Sequence, residues 1–481
     1  MINRIFGHSL LYTLANHVPL IANIVVLPLI TPFLTKEDYG IYGLTYAYIG
    51  AFHAFSMLGI EVLFSNTFFK NPNNYKTIWS KYIAILIIWR IIYALLIALI
   101  LYGIFSSLVK ENIQLYLCMV LVPILFFDIT KSIGTKYCQY KGSHQIVYIS
   151  SFIASVLTIF TSFICIYHYR LGYMGFFIAA GVASLVQFIF YFFILHIKLK
   201  IYPDFRISKT FIFNTLKVGI PVVPHNYANF VIESSDKILL DLNGIPIKKI
   251  GGYNLAYNFS NYFGTFNLSM NSILVPIYYK CFSLNDKKTS VTLINSITLL
   301  WFSFLLISSL LICIWCKEII SILYNNPEFQ NIYTYVPFLV ISLTYRPLYI
   351  VSVVKSIYLE KTKSILKISL TAALINITVN LLFIPIYGIK TILFSTFISY
   401  LYMGFSGFYF SDIKKNIDFS YNPIIFFVLM IITLIFSLTV LNLNLSNKIV
   451  MSLIILLFCI FIYKSKFKKL VQNLNNENLL N

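Results

Sequence analysis

Apolar residues run along this chain in long blocks, separated by short polar segments. Each block approaches the twenty or so residues that a helix needs to cross a hydrocarbon core about 30 Å thick. Fourteen such blocks are legible: 9–33, 42–64, 82–104, 113–133, 146–167, 172–195, 211–240, 253–279, 291–315, 332–358, 365–386, 391–410, 424–441 and 449–463. The last two are short, so the pattern predicts twelve to fourteen transmembrane helices. The connections between blocks reach about fifteen residues at most, which leaves no room for a soluble domain. The first block lacks a small-residue cleavage site and is expected to stay as a span. The expectation is an all-α polytopic membrane protein.

The blocks repeat. Gly40-Ile41-Tyr42-Gly43-Leu44-Thr45-Tyr46 and Gly251-Gly252-Tyr253-Asn254-Leu255-Ala256-Tyr257 share the pattern Gly-x-Tyr-x-Leu-x-Tyr, 211 positions apart. Gly172 and Gly388 each open the last helix of a six-span set, and Lys136 and Lys355 fall near the inner ends of the fourth and tenth spans. These echoes predict two six-helix lobes related by internal duplication, residues 1–200 and 201–415. A further helix pair and a basic tail follow in 416–481. The basic stretch from His196 to Thr210 is the expected lobe boundary, and the Gly-x-Tyr echo is expected to mark equivalent turns at the outer rim. Internal duplication in so apolar a chain is a common build of transporters.

Composition agrees: 59% of the 481 residues are hydrophobic and 11% are charged. The net charge of +20 is topological in origin. With fourteen spans and a cytoplasmic start, Lys and Arg fall about three to one on the inner side, which places both termini in the cytoplasm. Nucleic acid is therefore not an expected partner. The Cys313-x-x-Cys316 pair sits on an apolar helix end without a second pair or a nearby His, so no metal is expected there. The abundance of Phe and Tyr accompanies a strong excess of Lys over Arg, which points to coding bias and interfacial belts more than to sugar stacking.

Four cations fall inside predicted spans: Arg90, Lys217, Lys237 and Arg346. Each costs about 2.5–3.5 kcal/mol on insertion scales and needs a partner, water or an escape to the surface. Lys217 and Lys237 lie near span ends, where a flexible stem can snorkel. Arg90 and Arg346 lie near mid-span, and a guanidinium there can grip two oxygens of one phosphate. Pro347 is expected to loosen the helix beside Arg346. Glu61, Asp128, Glu233 and Asp236 lie toward span ends. Asp128 with Lys131, and Asp236 with Glu233 and Lys237, read either as gate or coupling groups or as plain interfacial charges. His17, His53 and His225 fall within spans, as proton carriers or as packing residues. A centre biased positive favours an anionic substrate.

The layout resembles the polysaccharide transporter family of the multidrug/oligosaccharidyl-lipid/polysaccharide exporter superfamily, and within it the Wzx-type repeat-unit flippases. Asp236-Lys237-Ile238-Leu239-Leu240 followed by Gly251-Gly252-Tyr253-Asn254-Leu255-Ala256 is similar to that family's Asp-basic-aliphatic run and Gly-x-Tyr-x-x-Ala. Tyr39-Gly40-Ile41-Tyr42 matches the same place in the first lobe, where Thr45 departs from the alanine. The resemblance implies a flippase, not an enzyme. It would move an undecaprenyl-diphosphate-linked oligosaccharide, an O-antigen or capsule repeat unit, from the cytoplasmic to the periplasmic leaflet of a bacterial inner membrane. It also implies alternating access through a hydrated cationic cavity, no cofactor, proton or sodium antiport as the energy source, and a polymerase and chain-length regulator as pathway partners. Arg90, Arg346 and Lys217 would contact phosphate or acidic sugar.

Three other readings stay open. A peptidoglycan lipid-precursor flippase would share the fold and the cationic cavity. A multidrug antiporter of the superfamily would need an acidic centre. An O-antigen polymerase or lipid-dependent glycosyltransferase would need a large outer loop and a catalytic constellation, and neither is visible in the sequence.

Overall fold

The computed structural model describes residues 24, 26–109, 112–141, 143–220, 223–359, 363–409 and 423–457. The first predicted span, with His17, therefore lies mostly outside the described residues. No strand forms among those described, and nine helices are long and apolar enough to cross a membrane. Two shorter apolar helices follow, Ile424–Val440 and Leu445–Leu457. The chain is a multi-pass membrane protein.

By packing it divides into two compact units, Asn3–Ile238 and Leu239–Asn481. The first holds α1 (Lys36–Ser56), α2 (Glu61–Lys70), α3 (Tyr75–Val109), α4 (Ile113–Val122), α5 (Asp128–Tyr140), α6 (His144–Phe163), α7 (Tyr173–Phe192), α8 (Lys209–Gly219) and most of α9 (Val223–Leu242). A π turn, Pro123–Phe127, joins α4 to α5. Thr35 and Asp38 form a capping box that starts α1. The same Asp38 carboxylate accepts the backbone N–H of Tyr173 at 2.8 Å, so one acid serves two helix starts. Gly172 at φ +53 makes this possible, because a Cβ there would lie 2.5 Å from Asp38 Oδ1. Beneath, Met57, Ile60, Phe64, Trp79, Leu86, Ile133 and Leu195 build a core, and Trp79 Nε1 donates to the Phe64 carbonyl at 3.2 Å.

The second unit holds α10 (Ile247–Phe282), α11 (Lys287–Leu323), α12 (Val336–Ser342), α13 (Arg346–Tyr358), α14 (Lys363–Tyr387), α15 (Ile389–Tyr409), α16 (Pro423–Val440) and α17 (Leu445–Leu457). Asp286 caps α11 by accepting from the N–H groups of Lys288 and Thr289. Asn376, Asn380 and Ser395 form a buried hydrogen-bonded cluster that joins α14 to α15. Such polar contacts hold helices together where lipid supplies no hydrophobic drive. The last two helices fasten onto α11: Phe426 meets Phe302 edge-on at 4.8 Å, Trp315 donates to Ser452 at 2.9 Å, and Lys448 reaches both oxygens of Glu318 at 2.8 and 2.9 Å.

Helices of the two units correspond in order. The span Lys36–Lys70 and helix Ile247–Phe282 begin 211 positions apart and differ by one residue in length. Gly40 and Gly251 are each the fifth residue of these helices, so the Gly-x-Tyr echo lies inside helix and not in the turn that the sequence suggested. Gly172 and Gly388, 216 apart, both take positive φ. Two predicted spans are broken. Block 42–64 kinks at Leu58 and Gly59, both at positive φ, and block 211–240 ends its first helix at Gly219.

Lys448 is 0% exposed and Glu318 is 30% exposed. Removing one partner leaves a buried ammonium without compensation. Glu318→Gln is expected to cost about 3 kcal/mol, whereas Lys448→Met combined with Glu318→Gln costs much less. Thermal unfolding in detergent checks this, and equal losses in the single and double variants would count against it.

Candidate functional site

In the first unit the site grows from two broken spans. Leu58 and Gly59 interrupt α1 and α2, and Gly219 ends α8. The two breaks touch: a Cβ at Gly59 would lie 2.0 Å from the Gly219 carbonyl oxygen, and one at Gly219 would lie 2.4 Å from that of Leu58. Only glycine permits this approach of bare backbones. Irregular backbone at membrane depth survives where protein buries it or water reaches it. Here α3 covers the break. Trp89 Nε1 donates to the Phe55 carbonyl at 2.8 Å, and Arg90 Nη2 lies 3.6 Å from Met57 Sδ. Both donors face the C-terminal end of α1, where the helix dipole favours positive charge.

Arg90 is 3% exposed. Its Nη1 donates to the Ile124 carbonyl at 3.3 Å and lies 3.5 Å from Asp128 Oδ2. The Ile124 carbonyl belongs to the π turn, a register that opens the helical ladder and frees backbone groups. Tyr93 stands 5.6 Å from the guanidinium. Sequence spacing suggested Asp128 with Lys131, but the fold brings Asp128 to Arg90 from another helix. Lys131 is half-buried and makes no ion pair among the described residues. Glu61, at the start of α2, pairs with Lys136 of α5 at 3.5 Å. Thus α2, α3 and α5 meet in a cluster of alternating charge.

Lys217 is exposed on α8, two residues before the break. Asp236 and Lys237 are buried in α9 and interact electrostatically, so Lys237 does not reach solvent as a snorkelling stem would. The side chains of Glu233 and His225 lie outside the described residues, and His53 is exposed.

In the second unit Arg346 is half-buried and follows a 3-10 turn, Leu343–Tyr345. Pro347 directly after it agrees with the predicted loosening. Tyr345 stacks on Tyr400 at 4.7 Å, and the Arg346 guanidinium lies 5.9 Å from the Tyr345 ring. Asn267 Nδ2 donates to the Leu343 carbonyl at 3.1 Å. Ile124 and Leu343 are 219 positions apart, the same separation as Lys136 and Lys355. Each unit therefore holds an irregular turn at one repeat position, and in each a buried side chain takes a carbonyl from it. Sequence reasoning missed Asn267 and Trp89, because an isolated Asn or Trp in an apolar run carries no spacing signal. The break at Gly219 was missed too, since 211–240 reads as one span, although Gly219 and Pro221 are a break signal. Among the described residues no group of His, Cys, Asp and Glu could hold a metal ion.

A family model described as "Polysaccharide biosynthesis protein" matches residues 8–282, more than half of the chain. No curated protein sequence matches it. Among solved structures, the fold is similar to "Lipid II flippase MurJ, inward closed conformation", with TM-score 0.68 and 15% identity over 95% of this chain and 99% of that one. It is also similar to a multidrug resistance MATE family transporter of the MOP superfamily in an inward-facing conformation, with TM-score 0.61 and 14% identity over 86% and 95% of the two chains. A mutant of the Vibrio cholerae MATE transporter VcmN gives TM-score 0.53 and 15% identity over 84% and 94%. At such identities the likeness carries the fold and not the cargo.

The glycine contact predicts its own sensitivity. Gly59→Ala and Gly219→Ala should each cost about 1–3 kcal/mol by forcing the two breaks apart, while Gly103→Ala, with nothing within 4 Å, should be silent. Melting in detergent reads the difference; wild-type melting of both break variants would mean that the breaks do not meet.

Proposed function

We propose a function that starts from one fact: the chain belongs to the polysaccharide biosynthesis protein family. It flips an undecaprenyl-diphosphate-linked oligosaccharide, an O-antigen or capsule repeat unit, from the cytoplasmic to the periplasmic leaflet of a bacterial inner membrane. Both termini face the cytoplasm.

The observation that carries the reading is the placing of arginine at irregular turns of membrane-depth helices. Arg90 donates to the π turn of the first unit, and Arg346 follows the 3-10 turn of the second. A diphosphate with attached sugars cannot enter hydrocarbon unaided, since an unpaired charge there is prohibitively costly. Fixed guanidinium groups replace the water that the head group gives up, while the lipid tail stays in the bilayer. Lys217, exposed on α8, adds a mobile point charge on the same unit as Arg90. Glu61, Asp128, Lys131, Glu233, Asp236 and Lys237 supply the charges that rearrange during transport. The alternating-access cycle draws on proton or sodium antiport, and the product passes to a polymerase and chain-length regulator of the same pathway.

Deleting the gene should leave lipid-linked repeat units facing the cytoplasm. Single units accumulating outside, unpolymerised, would instead favour a polymerase. Arg90→Ala and Arg346→Ala should each reduce export of surface glycan at least about tenfold, the loss of a single charge-assisted contact, with unchanged membrane insertion. Full export in both variants would remove the argument from deep cations.

A further inference from the structure

We infer that Arg90 is an anion site in which Asp128 is a resident stand-in, and that a phosphate of the cargo displaces Asp128 onto Lys131. This rests on the flippase reading above.

A guanidinium offers five donors in a flat fork. Among the described residues only one oxygen around Arg90, that of Ile124, makes a hydrogen bond with it, at 3.3 Å. The Met57 sulfur at 3.6 Å is a weak acceptor. Nε is buried with no hydrogen-bond partner among the described residues. Asp128 approaches with one oxygen only, at 3.5 Å, whereas charge-assisted bonds to carboxylate close to about 2.7–2.9 Å and prefer the bidentate fork. A buried cation so poorly satisfied is expensive to keep for architecture alone. A phosphate has the oxygens to fill the fork that Asp128 leaves half empty.

Exposure gives the order of events. The Asp128 side chain is 30% exposed and that of Arg90 is 4% exposed, so an arriving anion meets the carboxylate first. Lys131 is the destination because it lies three residues along α5, on the face that carries Asp128. Lys131 has no ion-pair partner among the described residues, while Lys136 is already held by Glu61. The exchange therefore leaves neither group unpaired: Arg90 trades Asp128 for phosphate, and Asp128 gains Lys131. The other groups that interact with Asp128 are Tyr93 from α3 and Tyr46 from α1, while Glu61 from α2 acts on Arg90. His196, in the π turn after α7, is engaged with the Ile201 carbonyl, and α7 brings no charged side chain.

The test is calorimetric titration of the full-length protein in lipid nanodiscs. The probes are a short-chain polyprenyl diphosphate bearing one N-acetylglucosamine, and inorganic pyrophosphate. Asp128→Asn removes the competitor and should bind both probes at least about tenfold more tightly. Lys131→Gln, which removes the destination, should bind them at least about fivefold more weakly. Asp128→Glu keeps the charge, reaches Arg90 more fully and should also weaken binding, which covers the event that Asp128→Asn fails to fold. Unchanged or weaker binding by folded Asp128→Asn, or tighter binding by Asp128→Glu, overturns the stand-in. Uptake of a proton by wild type on binding, counted in buffers of different ionisation enthalpy, overturns the transfer to Lys131. If wild type ignores the lipid-linked probe while Asp128→Asn gains affinity for pyrophosphate, the flippase reading falls and the anion site stands. No gain with either probe removes the site.

Discussion

Within hydrocarbon every backbone N–H and C=O must find its partner inside the protein, and the structure is organised by that requirement. Long helices meet it automatically. At three departures from the helix a side chain supplies a partner. Trp89 serves the end of α1, Arg90 the π turn at Ile124, and Asn267 the 3-10 turn at Leu343. At Gly59 and Gly219 the backbones meet each other without any side chain between. The irregular places are thus the ones where polar groups had to be brought to membrane depth.

The same requirement explains how much could be read from sequence alone. Membrane spans were legible because a block of twenty apolar residues has one physical outcome, and the duplication was legible because the repeat keeps helix lengths and the positive-φ glycines 172 and 388. That Arg90 would need a partner was legible too, from the cost of a central charge. Which partner was not. Asp128 is 38 positions away, on another helix, and local spacing offered Lys131 instead. Pairing within one helix follows a three- or four-residue rule, but pairing between helices depends on rotation and depth, which no local pattern encodes. The break at Leu58 was hidden for a related reason: one glycine in an apolar block is common, and its meaning appears only when Gly219 arrives against it.

The two units use their buried polarity differently. The first concentrates charge, with Arg90 in its interior and the Glu61–Lys136 pair beside it. The second is rich in buried amides and hydroxyls, such as Asn267, Asn271, Asn376, Asn380 and Ser395. Amides and hydroxyls both donate and accept, so they hold helices together without fixing a sign. The two units thus share a helical layout but not the chemistry of their buried polar groups.

The pair between Glu318 and Lys448 has a consequence for biosynthesis. The two residues are 130 positions apart, and Lys448 lies on the last described helix. At about 5–20 residues per second of synthesis, Glu318 waits roughly 6–26 seconds for its counter-ion. During that interval α11 carries a carboxylate that lacks the counter-ion of the finished fold. Completion of the second unit is thus timed by the arrival of α17, and a chain that stops short of it lacks the pair that fastens its last helices to α11.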